Sequence, residues 1–174
     1  MKQFYDFKVE NIKNLSPEDK NLRKENLNLF YKNGFPNKKD EDWKFTDLNL
    51  ILSKNFNNII NKDFLPDSKK LDLIKEFKHN NICLLDGKLI SSNFSHEDKN
   101  EISIIDFNYK NKKSSDKNNT LNLLNNALAI GGITLEVSKN YKFNKPLIIY
   151  NYFSKNLKET IINNKNSIIL NDNS

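Results

Sequence analysis

Residues 120–137 decide the fold class, because a helical pattern gives way to a strand pattern within them. The stretch reads TLNLLNNALAIGGITLEV. Leucines spaced three and four residues apart predict one apolar face for a helix that begins near Thr120. These leucines are Leu121, Leu124 and Leu128. Gly131 and Gly132 are predicted to end this helix, and alternating apolar residues predict a strand at 133–137.

Strand patterns continue through the rest of the chain. Further strands are expected at residues 147–153, 159–162 and 167–170, separated by short polar turns. Strands that recur about every 10–15 residues suit either a β-sandwich or the successive coils of a β-helix. The pattern alone does not separate these two architectures.

The middle of the chain carries a strong hairpin signal. Asp86 and Gly87 separate two apolar runs at residues 82–85 and 88–90, and this dipeptide supplies the positive φ angles of a tight turn. A further strand is expected at residues 102–107. The polar residues that follow, 108–119, predict a surface loop.

The front of the chain is predicted to be helical. Ser16 and Pro17 form a helix start, and Asn33-Gly34 gives a glycine exit, with Pro36 preventing continuation. The apolar face expected for this helix consists of Leu22, Leu27, Leu29 and Phe30. A helical turn capped by Asp47 is expected to carry Leu48, Ile51 and Leu52. A second helix from residue 67 or 68 to about 78 is expected to share Leu71, Ile74 and Phe77 on one face.

Composition limits the classes of function. The 174 residues are 37% hydrophobic, with 28 basic and 22 acidic residues, a net charge of +6, and Arg23 as the only arginine. Abundant Lys, Asn and Ile are typical of an AT-rich genome. A basic surface can recruit nucleic acid, but these lysines alternate with acids and there are no arginine clusters to grip phosphates or bases. We therefore expect solvated surface lysines and no specific nucleic-acid partner.

The cysteine count and the hydropathy indicate a cytoplasmic protein. Cys83 is the only cysteine, so no internal disulfide is possible. The first ten residues lack the apolar region of a signal peptide, and no run approaches the roughly 18 apolar residues of a membrane span.

Candidate metal ligands are few. His79, Cys83 and His96 are the obvious ones, but the strand pattern around Cys83 breaks the spacing that would bring it to His79 on a helix. Cys83 lies in an apolar run, and we interpret it as a small buried hydrophobic residue and not as a metal ligand. His96 is expected in an exposed loop beside Glu97 and Asp98.

Three other groups of residues could be read as binding sites, but we interpret each of them as structural. Trp43 and Phe45 could stack on bases beside Lys44, but we interpret them as core anchors. Glu41 and Asp42 are interpreted as a solvated cap or local ion pair. The pair Gly131-Gly132 lacks both nucleotide-binding glycine spacings, so nucleotide binding is not expected.

Two motifs in this chain resemble the SufD family. The segment DEDWKFT at residues 40–46 follows Gly34-Phe35-Pro36, and it resembles the family's Gly-x-Pro and Glu-Asp-Trp-Lys-Tyr-Thr signature, with Phe45 in place of Tyr. NNALAIGG at residues 125–132 resembles its Asn-x-Ala-x-x-x-Gly-Gly segment. The matching positions are Gly34, Pro36, Glu41, Trp43, Thr46, Asn125, Ala127, Gly131, Gly132 and Pro146.

The resemblance implies an α+β fold: a small N-terminal helical region followed by the first coils of a right-handed β-helix of the SufB/SufD type. The expected segments are a helical region at 1–80, a hairpin and polar loop at 81–119, and a helix leading into the β-helix at 120–174. This would be the N-terminal part of a longer family architecture. A strand edge after 167–170 would then need a covering partner.

The resemblance also implies a function. The chain would be a non-enzymatic scaffold subunit of the SUF machinery for iron-sulfur cluster assembly, pairing with a SufB-like subunit through the β-helix edge. The family's SufC ATPase docks on a C-terminal helical segment, which would lie beyond Ser174, so that contact is expected to be missing. No catalytic, cofactor-binding or metal residue of the family maps onto this sequence. The front motif favours SufD over SufB.

Two other functions stay open. A stand-alone basic β-rich module would bind RNA or another polyanion through dispersed lysines, with steep salt dependence. A metal-dependent enzyme centred on His79, Cys83 and His96 would retain stoichiometric metal and lose it on Cys83→Ala.

Overall fold

The computed structural model describes residues 8–55, 58–59, 72–106, 119–154, 157 and 160–174. Within these ranges the fold is mixed α and β, as the predicted α+β class requires. The helices are α1 (Pro17–Asn33), α2 (Leu48–Asn55) and α3 (Thr120–Leu128). The strands are β1 (Asn58–Ile59), β2 (Asn80–Leu85), β3 (Lys88–Asn93), β4 (Ile102–Asp106), β5 (Ile133–Val137), β6 (Leu147–Tyr152), β7 (Thr160–Ile161) and β8 (Ser167–Leu170).

The described residues form two compact units that each draw on separate stretches of the chain. The helical unit takes its residues from 1–62, 109–130 and 157–163, and the sheet unit from 63–108, 131–156 and 164–174. The three consecutive segments expected from the sequence stay a prediction about organisation along the chain.

Helix α1 begins and ends where its sequence predicts. The Ser16 hydroxyl accepts a hydrogen bond from the Asp19 N–H at 3.1 Å, and Pro17 occupies the first turn. At the other end, Gly34 has φ +73° and donates its N–H to the Phe30 carbonyl at 2.7 Å. The capping interactions therefore confirm the predicted boundaries.

The core of the helical unit joins α1 to α3. Leu27 and Phe30 are buried as expected, whereas Leu22 and Leu29 are half-buried. The buried residues of this core are Val9, Leu27, Phe30, Leu123, Leu124, Ala127 and Leu128. Arg23 is buried as well, and its Nη1 donates to the carbonyls of Ala127 and Ala129 at 3.1 and 2.8 Å. These carbonyls end α3, where a cation complements the helix dipole.

Helix α2 confirms the cap predicted for Asp47. The Asp47 Oδ1 accepts the Leu50 N–H at 2.9 Å, and the helix runs on to Asn55. Leu52 is buried, whereas Ile51 is exposed.

The helix predicted from residue 67 or 68 to about 78 is wrong in its described part, residues 72–78, which carry no helix. The Ile74 N–H donates to the Tyr150 hydroxyl at 3.1 Å, and the Tyr152 hydroxyl donates to the Asp72 carbonyl at 2.8 Å. Backbone groups that a helix would pair internally are thus bonded to side chains of β6. Residues 67–71 and the predicted loop residues 108–118 lie outside the described residues.

The first sheet of the sheet unit has the order β3-β2-β6. β2 and β3 form the predicted antiparallel hairpin, with Asp86 at φ +51° and Gly87 at φ +82°. β6 lies parallel to β2, with Ile82 opposite Ile149.

The second sheet has the order β4-β5-β8, antiparallel between β4 and β5 and parallel between β5 and β8. The strands predicted at 133–137 and 167–170 are both present. A buried cluster of Ile82, Leu84, Phe94, Ile133 and Leu135 joins the two sheets of this unit.

Gly131 and Gly132 do not end α3, which corrects the prediction. The last helical residue is Leu128, and Ala129 caps the helix by donating to the Asn125 carbonyl at 2.8 Å. The glycines instead allow backbones to approach closely. A Cβ on Gly131 would lie 2.6 Å from the Gly87 carbonyl oxygen, and one on Gly132 would collide with the Lys165 backbone.

Candidate interaction edge of the sheet unit

In the second sheet, the row of apolar residues that faces the core in β5 extends onto β8, where the row is not covered. In β5, Ile133, Leu135 and Val137 are buried, and the residues between them are not. Leu135 pairs with Ile168 and Val137 with Leu170, and paired residues of neighbouring strands share a face. Ile168 and Leu170 are nevertheless 52% and 63% exposed. An apolar row that is core in β5 is therefore open to solvent in β8.

The backbone of β8 is open along the same edge. β8 is the edge strand of its sheet, and no strand of the described chain pairs with its outer side. Parallel strands are ordinarily covered on both faces and flanked by neighbours, and an edge strand is a template for the addition of another strand. β6 is likewise a parallel edge strand of the first sheet.

The ends of β8 are fixed in place. Before the strand, the Lys165 N–H donates to the Gly131 carbonyl at 2.9 Å. After it, the Asn171 side chain donates to the Val137 carbonyl at 2.8 Å and to the Glu136 carboxylate at 3.1 Å. The edge is therefore pre-formed, which lowers the entropy cost of adding a strand to it.

A single carboxylate organises the loop that leads into β6. Glu97 accepts hydrogen bonds from the Asn80 side chain (2.7 Å), the Tyr141 hydroxyl (2.8 Å) and the N–H groups of Asn144 (2.9 Å) and Lys145 (3.0 Å). Burial opposes ionisation, but these donors outweigh it and lower the pKa of Glu97 to about 2. Sequence reasoning missed this role, because the partners lie 17 to 48 residues away in the chain.

The three candidate metal ligands do not come together. His79 Nε2 lies 2.9 Å from the Tyr150 hydroxyl, and its Nδ1 lies 3.0 Å from the Phe77 carbonyl oxygen. Cys83 is fully buried in β2, which confirms its structural interpretation, and its nearest polar partner is Asn81 Oδ1 at 3.9 Å. His96 is exposed, as expected. Across the described ranges, no three His, Cys, Asp or Glu side chains are grouped to hold a metal ion.

The interpretation of Trp43 and Phe45 as core anchors is wrong for Phe45, and neither residue belongs to the buried core of the helical unit. Trp43 is half-buried at the end of a short 3-10 turn, Glu41–Trp43, but the Phe45 side chain is 91% exposed. The turn continues through a hydrogen bond from the Thr46 N–H to the Trp43 carbonyl at 2.9 Å, so positions 43 and 45 do not share a face. Glu41 pairs with Lys44 at 2.5 Å, which confirms the local ion pair.

The surface lysines also bear on the polyanion hypothesis. Among the described residues, ion pairs with acids include those of Lys24 with Glu10, Lys38 with Asp47, Lys44 with Glu41 and Lys139 with Asp172. Basic and acidic side chains are therefore interleaved on the surface as they are in the sequence.

In the part of the chain that is described, no helix is long and apolar enough to cross a membrane.

The site that these observations define is an ordered, uncovered strand edge, which is the kind of surface that assembles with other strands. A comparison with family models finds a similarity at the front of the chain. Residues 1–71 match the model described as the SufBD protein N-terminal region. The match covers 71 of the 174 residues, and it shows that the front of the chain is similar to the N-terminal region of SufB and SufD proteins. No curated protein matches the chain significantly.

Proposed function

We propose that this chain is a SufD-like scaffold subunit of the SUF machinery, without catalytic activity or a bound cofactor of its own. The family match over residues 1–71 supports the SufB/SufD part of this proposal. The SufD assignment rests on the front motif, Gly34-Phe35-Pro36 followed by Glu41-Asp42-Trp43-Lys44, which resembles SufD more than SufB. A cytoplasmic location accompanies it, supported by a single, buried cysteine.

The sheet unit forms the first coils of a right-handed β-helix in this proposal. Two parallel pairings support it, β2 with β6 and β5 with β8. The β5–β8 register extends to a parallel bridge between Gly131 and Asn164, and the Ile133 N–H bonds the Asn166 side chain at the same separation of 33 residues. Stacked coils require parallel strands in register, and the β5–β8 ladder meets this requirement from residue 131 to residue 137.

The proposed partner is a SufB-like subunit, which binds by extending the sheet from the open edge. The observation that carries this proposal is the exposure of Ile168 and Leu170 in line with buried Leu135 and Val137. A partner strand placed beside β8 would extend the sheet and cover this apolar row. No contact with a SufC-like ATPase is expected from this edge.

A pull-down of the chain against SufB and SufC from its own organism tests the proposal. The wild-type chain is expected to retain SufB and not SufC. Ile168→Lys/Leu170→Lys is expected to reduce SufB retention about tenfold or more, because each lysine places a charge in an apolar interface. Ile105→Lys is the matched control, since Ile105 is also 52% exposed but pairs with Thr134 on the other face.

The outcomes separate the functions left open by the sequence. Equal SufB retention by the double variant and the control would contradict edge pairing. If neither subunit binds, RNA retention is measured at increasing salt concentration. The polyanion hypothesis predicts that RNA binding falls steeply as the salt concentration rises. Iron retained stoichiometrically by the isolated chain would contradict a scaffold without its own cofactor.

A further inference from the structure

A cleft of about 560 Å³ opens within the helical unit, beside the end of α1 and the start of α3. Its wall includes the buried Pro36 and the half-buried Phe35 and Trp43. The Phe35 ring packs edge-on against Phe30 of the core, with 4.9 Å between ring centroids. The apolar side of the cleft is therefore anchored to the core.

Two carboxylates without a cationic partner line the same cleft. The Asp40 Oδ2 accepts the Asn37 N–H at 2.8 Å, and within the described residues Asp42 has neither a hydrogen-bonding side-chain partner nor an ion pair. Two neighbouring lysines are engaged elsewhere, Lys38 with Asp47 at 3.5 Å and Lys44 with Glu41, whereas Lys39 forms no ion pair within the described residues. The cleft is thus locally acidic in a chain whose net charge is +6.

The far side of the cleft does not offer an anion site. Asn119 and Thr120 line it at the N-terminus of α3. The Asn119 Oδ1 already accepts the N–H groups of Leu121 and Asn122, at 3.1 and 3.2 Å. This cap occupies donors that would otherwise attract an anion.

We propose that this cleft binds a guanidinium or ammonium group carried on an aliphatic stem. The cation stacks on the Trp43 indole, which is the aromatic side chain best suited to a cation–π contact. Asp40 and Asp42 accept its N–H groups in charge-assisted hydrogen bonds. The aliphatic stem lies against Pro36 and Phe35, as the stems of Lys and Arg lie on apolar surface. The same chemistry is carried by a Lys or Arg side chain of a protein and by a free polyamine.

The single tryptophan of the chain makes the test local, since Trp43 fluorescence reports on this cleft alone. The full chain is titrated with acetyl-arginine amide and with acetyl-citrulline amide, a neutral analogue of similar shape. Arginine is expected to change the fluorescence saturably and to bind at least about tenfold more tightly than citrulline. Equal responses to the two probes would overturn the proposal.

Charge variants supply the second measurement. Asp40→Asn/Asp42→Asn is expected to weaken arginine binding about tenfold or more, whereas Glu18→Gln/Glu25→Gln, which removes the same two charges at exposed residues that do not line the cleft, leaves it within about twofold. Equal weakening by both would overturn a specific site. All four substituted acids are exposed, and circular dichroism checks that each variant folds.

Two further probes distinguish the sources of the cation. A short peptide with one arginine between glycine and serine residues that binds about tenfold more tightly than acetyl-arginine amide would identify a protein side chain. Spermidine binding more tightly than both would identify a free polyamine. Either result supports the cation site, and failure of all three cations to bind would overturn it without bearing on SufB retention.

Discussion

Arg23 is a buried cation whose hydrogen bonds join α1 to the end of α3. Arg23→Met removes both bonds to the carbonyls of Ala127 and Ala129, so the free energy of unfolding is expected to fall by about 1.5–3 kcal/mol. Urea denaturation measures this change. Lys24→Met is the control, because Lys24 makes only a surface pair with Glu10, worth about 0–1 kcal/mol. Equal losses would contradict the role given to Arg23.

Glu97 gives the fold a specific acid sensitivity. Its pKa falls from 4.5 to about 2 on folding, so its ionised form contributes stability above about pH 4.5, and that contribution is lost as the pH falls towards 2. Glu97→Gln is expected to lower the unfolding midpoint at pH 7 and to have little effect at pH 2. Thermal unfolding across this pH range measures the difference. Glu101→Gln is the control, and the prediction fails if both variants follow the same pH profile.

At the scale of elements, Gly131 and Gly132 allow β5 to lie close to the residues that precede β8. Gly132 has φ +124°, and a Cβ there would collide with the Lys165 backbone. Gly132→Ala is expected to lower the free energy of unfolding by more than backbone strain alone would, and such strain costs about 1–3 kcal/mol. Gly34→Ala isolates the strain term, because Gly34 has φ +73° and no atom within 4 Å of an added Cβ. Equal losses in chemical denaturation would show that the close approach is not what requires glycine.

The elements most fully predictable from the sequence are those specified by neighbouring residues. The Ser16 cap, the Asp86-Gly87 turn and the strand at 167–170 were all predicted, because capping, turn conformation and alternation are local. The helix predicted through Ile74 and Phe77 failed, since tyrosines of a strand some 76 residues away bind that backbone. The same limit applies to the sites. The exposure of Ile168 depends on which strands pair with β8. The hydrogen-bond donors around Glu97 also come from distant parts of the chain. Neither can be predicted from the neighbouring residues in the sequence.

At the scale of the whole molecule, the open edge affects solution behaviour. Two copies can pair their β8 edges in the absence of a partner, so concentration-dependent association is expected. Leu170→Lys is expected to weaken that association about tenfold, with little effect on stability because Leu170 is 63% exposed. Sedimentation velocity measures the association. Ile105→Lys serves again as control, and equal weakening by the two substitutions would contradict an edge-specific contact.

The helical core has a consequence for synthesis on the ribosome. Arg23 in α1 and its carbonyl partner on Ala127 are 104 residues apart in the chain. At about 5–20 residues per second, translation takes roughly 5 to 20 s to deliver α3 after α1 has been made. Throughout that interval Leu27 and Phe30 have no α3 surface to cover them. The nascent chain therefore offers these two apolar side chains of α1 to chaperones before its core can close.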